Sequence, residues 1–93
     1  MSKQTDTRTQ DLEVVVEELV ANHEIILFND DVHTFDYVID SLIEICDHDP
    51  IQAEQCTYIV HHNGKCSVKK GSYDELEPRC TALLNRGLTA EIA

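Results

Sequence analysis

Asn29, Asp30 and Asp31, with His61 about thirty residues further on, are the side chains whose types could do chemistry together. Asn and Asp offer carbonyl and carboxylate acceptors, and a neutral His offers one ring-nitrogen acceptor. Three converging acceptors suit a primary ammonium, which brings three N–H donors. An imidazole accepts only while neutral, so acidification should weaken such binding. The plainer reading is a turn closed by Asx hydrogen bonds, with His61 as a surface residue at a helix end. A second constellation is Cys56, His61, His62 and Cys66, spaced Cys-x4-His-His-x3-Cys. Zinc sites favour tighter pairs such as Cys-x2-Cys, so a small zinc-binding domain stands only as an alternative, and no metal or other cofactor is expected. Asp30, Asp31 and His61 could also form an acid–base set. However, the chain has no Gly-x-Ser-x-Gly motif and no P-loop, and a domain this small lacks a deep cleft, so it does not read as an enzyme.

The elements that would position these groups can be read from periodicity. Glu24-Ile-Ile-Leu-Phe28 runs without polar alternation into Asn29, which predicts a strand over residues 23–29 buried on both faces. Thr34 is placed to cap a helix in which Phe35, Val38, Ile39, Leu42, Ile45 and Cys46 recur at helical spacing. Asp49, Pro50 and Gln52 open a second helix with a capping box, and Ile51, Cys56, Ile59 and Val60 are its expected inner face. His61, His62 and Asn63 end it before Gly64.

A strand with Cys66 and Val68 inward follows, then a turn at Gly71. A third helix carries Leu76, Cys80, Leu83 and Leu84 inward and ends at Arg86-Gly87. Pro78 lies inside its pattern, so the helix either kinks there or becomes regular only from about Pro78. Leu88, Ala90 and Ile92 alternate in a closing strand. The fold class is α+β: a small two-layer domain of order β-α-α-β-α-β, with a three-stranded antiparallel sheet and three helices. Residues 1–22 read as a flexible N-terminal arm and residues 23–93 as the core domain. Within the arm, residues 11–20 fit helix and strand about equally.

A chain of 93 residues, 42% of them hydrophobic, has room for one domain with an aliphatic core. Eighteen acidic side chains against seven basic ones give a net charge of −11. That balance disfavours nucleic acid and anionic membrane surfaces as partners and favours cationic ones. No apolar run approaches the length of a membrane span, and the first ten residues do not resemble a signal peptide. The expected setting is the cytoplasm, with the four cysteines reduced and three of them acting as small core hydrophobes.

Taken in order, Ile26-Leu-Phe-Asn-Asp-Asp31, Phe35-x-x-Val38-Ile39, Val60-His-His-x-Gly-Lys65, Ser72-x-Asp74 and the closing Leu88 strand resemble the ClpS family. These are adaptors of the AAA+ Clp protease that recognise N-degrons under the N-end rule. The resemblance implies that Asn29, Asp30 and His61 hold the α-amino group of a substrate protein's N-terminus. It places Asp31, His33, Phe35, Val38, Thr57, Val60 and Leu88 around a pocket for a bulky hydrophobic first side chain. It also implies docking on the N-terminal domain of a Clp ATPase through Asp74 and Arg79. A monomer is expected. His33 stands where the family commonly has Thr, Thr34 where it has Pro, and Phe35 and Thr57 where it usually has Met. Thr57 should make one wall smaller and more polar. These departures keep a second possibility open, an interaction domain of the same architecture that docks on the chaperone without binding a free N-terminus.

Overall fold

The computed structural model describes residues 22–93. The readings of an N-terminal arm and of an element over residues 11–20 lie, apart from Asn22, outside the described residues. The elements are β1 (His23–Phe28), α1 (Phe35–Cys46), α2 (Pro50–Asn63), β2 (Lys65–Gly71), α3 (Tyr73–Asn85) and β3 (Thr89–Ile92). β1 is central in a three-stranded sheet of order β2-β1-β3, antiparallel on both sides. This is the α+β arrangement expected, with β1 carrying the chain directly toward Asn29.

The β1 side chains alternate after all. Ile25 and Leu27 are buried, whereas Ile26 and Phe28 are half-buried. The expectation of a strand buried on both faces is therefore corrected. Three helices cover one face of the sheet, and Ile26, which sits opposite Ser67 and Glu91, belongs to the other. The β1–β2 register slips between Ile25 and Ile26, leaving Val68 as an extra residue on β2. The carbonyl of that bulged residue accepts from Nε2 of His48, a ring buried at the α1–α2 joint. A histidine that reads as part of a helix break thus supplies a donor where the ladder is interrupted.

Helix ends follow their local chemistry. Thr34, Asp49 and Ser72 accept from the amides of Tyr37, Gln52 and Glu75. α1 stops at Asp47, which takes the left-handed conformation at φ 58°. Its carboxylate and the Ile45 carbonyl are both held by Arg79, at 2.9 Å and 2.6 Å.

α2 buries Val60, as expected, together with Ala53 and Thr57, and Cys56 is half-buried against the core. Ile51 and Ile59 are exposed. Residues 53, 57 and 60 share one face at helical spacing, while Ile51 lies on the far side. α3 begins at Tyr73 and carries Pro78 within it, so the helix does not start at the proline. The proline removes one N–H near the first turn, where both it and Asp74 face water, so no buried carbonyl is left unpaired. Leu84, expected inside, is exposed.

The core joins Ile25, Leu27, Leu42, Cys46, Ala53, Val60, Val68, Leu76, Leu83, Leu88 and their neighbours. All four cysteines are free, two buried and two half-buried. Among the described residues no helix is long and apolar enough to cross a membrane.

Candidate functional site

The end of β1 and the end of α2 are tied by one backbone hydrogen bond, from the Asn29 amide to the Gly64 carbonyl at 2.9 Å. Gly64 ends α2 at φ 90°, with its own amide on the Val60 carbonyl. A residue with a Cβ would be strained in that conformation. This joint brings His61, one turn from the helix end, beside the Asn29-Asp30 corner. The third wall comes from the end of α3, which closes with a Schellman motif. The Leu88 amide bonds the Leu83 carbonyl and the Gly87 amide bonds the Leu84 carbonyl, with Gly87 at φ 82°. The motif turns Leu88 inward, where it is buried.

Together these ends form a small hollow, with a cavity volume of about 30 Å³, that is open on one side. It is lined by Asn29, Asp30, His33, Phe35, Val38, Thr57, Val60, His61 and Leu88, with Leu27 and Phe28 completing it. The polar groups come from the β1 corner and the end of α2, and the apolar ones from β1, α1, α2 and Leu88 just after α3. Asp31 is exposed and is not part of this wall. Asp74 is exposed in the first turn of α3, and Arg79 is engaged with the end of α1 as described. The lining role of Leu27 and Phe28 was missed because a dry strand reads as core; their position just before Asn29 was the available signal.

Asp30 is held more firmly than a turn residue needs to be. Oδ1 accepts from the Val32 and His33 amides, each at 2.9 Å, and the His33 Nδ1–H lies 3.0 Å from both Oδ1 and Oδ2. Burial pushes the carboxyl pKa up, but the His33 amide, the His33 ring and the Val32 amide together outweigh it. The net shift is below the ordinary value of 3.8. Phe35 and His61 meet edge to face, centroids 5.0 Å apart, and His61 meets His62 in the same way at 5.1 Å. The Thr57 hydroxyl donates to the Ala53 carbonyl at 2.7 Å. Its polarity is therefore spent inside α2, and the wall it forms is less polar than its residue type suggests.

Chemically, the hollow combines a fixed carboxylate, an amide and an imidazole with an apolar floor. It suits a ligand with an ammonium head and a hydrophobic body. Among the described residues no three of His, Cys, Asp and Glu converge to hold a metal ion. Burial pushes the thiols of Cys46 and Cys56 up to about 11, with Cys66 adding to the effect on Cys56. At pH 8 both are then almost wholly protonated. In the folded protein their alkylation by iodoacetamide should run about a hundredfold slower than in urea. Mass spectrometry of timed quenches would read this, and rapid labelling of native Cys46 would contradict the burial described.

Comparison with known proteins gives two findings. The family model described as "ATP-dependent Clp protease adaptor protein ClpS" matches residues 18–91. Among solved structures, the fold is similar to Agrobacterium tumefaciens ClpS2 bound to L-phenylalaninamide, with a TM-score of 0.73 and 18% identity over 80% of this chain and 96% of that one. No curated relative matches the chain.

Proposed function

The chain belongs to the ClpS family of ATP-dependent Clp protease adaptor proteins, and on that premise we propose that it binds the free N-terminal residue of substrate proteins and delivers them to a Clp ATPase–protease. One observation carries the reading: Asn29, Asp30 and His61 line the same hollow as Leu27, Val38, Val60 and Leu88. Recognition is then divided. The acceptors read the charged α-amine, and the apolar walls read a bulky first side chain such as Leu, Phe, Tyr or Trp. Phe35, 40% exposed at the start of α1, is the wall with most freedom to adjust to the ring or branch that enters. The Agrobacterium protein bound to an amino-acid amide is consistent with this division. The chain catalyses nothing in this scheme. It acts as a monomer, with the exposed first turn of α3, including Asp74, and Arg79 turned to the N-terminal domain of the ATPase.

The test is a fluorescence-anisotropy panel of peptides that differ only in residue one. Burying a Leu or Phe side chain contributes about 1.5–3 kcal/mol, so these peptides should bind about 10- to 150-fold more tightly than a Ser-initiated one. Acetylation removes the charge and two donors and should weaken binding by about thirtyfold or more. Equal affinity for Phe- and Ser-initiated peptides would sink the proposal and favour a docking domain that ignores N-termini.

A further inference from the structure

Asp30 contributes a carboxylate to the hollow, but the group that fixes its direction is His33. The imidazole is confined on three sides. Its Nδ1 sits 3.0 Å from both carboxylate oxygens, so this nitrogen carries the proton and donates it. One face of the ring stacks on Tyr37, centroids 4.9 Å apart and planes 24° from parallel. Tyr37 is itself anchored, its hydroxyl donating to the Arg86 carbonyl at 2.7 Å. On the remaining side lies Gly87, where a Cβ would stand 3.3 Å from Nε2 and 3.5 Å from Cε1. The absent side chain at Gly87 is the space the ring occupies. This links the Schellman turn of α3, the first turn of α1 and the β1 corner through one histidine.

The two carboxylate oxygens are not equivalent. Oδ1 receives two backbone amides as well as a share of the ring proton, which fills its lone pairs. Oδ2 has only the ring proton. We infer that His33 is a positioning residue: it braces Asp30 so that Oδ2, the oxygen with accepting capacity left, is held ready for a ligand's ammonium. The inference rests on reading the hollow as a site for N-terminal residues, and it goes further by assigning a role to a residue otherwise counted only as pocket wall.

The decisive comparison is wild type against His33→Ala and His33→Asn. Asn places an N–H at the same δ position as the imidazole Nδ1, without the ring. The first readout needs no ligand. Asp30 is followed by carboxyl-carbon NMR through an acid titration of each protein, with the fold checked by its amide spectrum. Its midpoint should rise in H33A and return toward the wild-type value in H33N. An unmoved midpoint in a folded H33A overturns the brace, whatever the peptides do. The second readout is affinity for free and acetylated Leu-initiated peptides. H33A should lose about tenfold for the free amine, and H33N should recover to within about threefold. If wild type fails to prefer the free amine, the N-terminal reading falls. If wild type prefers it and H33A binds equally well, only the role of His33 falls.

Discussion

Asp30→Ala should cost about 2–5 kcal/mol of affinity for a peptide with a free N-terminus, roughly thirty- to several-thousandfold in Kd. The size follows from what is left behind. The variant keeps the hollow and its apolar walls but asks an ammonium to sit there without its only carboxylate partner on the wall. Asp30→Asn should fall between, since it keeps an acceptor and loses the charge. Titration calorimetry with one Leu-initiated peptide would rank the three proteins, and an Asp30→Ala protein binding within about threefold of wild type would remove Asp30 from the amine site.

The same residue makes a pH prediction for stability. Its folded pKa is depressed below 3.8, with burial opposing and the His33 and Val32 hydrogen bonds prevailing. A depressed carboxyl contributes stability that is fully present above the unfolded pKa and is lost as pH falls through the folded one. The Tm difference between wild type and Asp30→Asn should therefore hold steady from pH 8 to about 5 and shrink below about 4. A difference that collapses between pH 7 and 6 would assign the effect to a histidine.

Residues that could be read correctly in the sequence are those whose local chemistry and tertiary role agree. Thr34, Asp49 and Ser72 cap helices because each has an amide three residues ahead to accept from. Leu42, Leu76 and Leu83 are buried because each stripe has one apolar side. The hollow was legible in its two ends, Asn29-Asp30 and His61, because each closes an element whose direction the pattern gave.

What could not be read depended on distance in space or on which helix face packs inward. Ile51 looks like core, but α2 packs through Ala53, Thr57 and Val60, on the opposite face of the helix. The buried ring of His48 answers a β-bulge that no local pattern announces. The fit of His33 against Gly87 joins residues 54 positions apart, and only the fold puts them in contact. The Asx turn at Asp30 was foreseen as the plain alternative to a ligand rim. The structure has the turn, and the proposed rim is compatible with it, because a carboxylate can close a turn with one oxygen and keep capacity on the other.

What keeps the Asn29-Asp30 corner still is addressed by truncating Leu27 in β1, with Leu42 in α1 as the reference. Leu42→Ala empties a fully enclosed site, since Leu42 has no exposed surface, and should destabilise the domain by about 3–5 kcal/mol. Against the roughly 5–15 kcal/mol that holds a small domain together, that is a large share. Leu27 is nearly as buried, at 1% exposed, yet it also lines the hollow. Leu27→Ala should open its space into the hollow instead of sealing a void, so solvent can enter and the penalty should be nearer about 2–3 kcal/mol. The deepened hollow should then shift preference toward the largest first residue, with Trp gaining on Leu. Urea unfolding with matched m-values would give the two penalties, and the peptide panel would give the preference. If Leu27→Ala costs as much as Leu42→Ala and leaves the Trp-to-Leu ratio unchanged, Leu27 belongs to the sealed core, and the floor of the hollow must be sought in Val38, Val60 and Leu88. If the two variants separate as expected, β1 both anchors the Asn29-Asp30 corner and sets the depth of what that corner can hold.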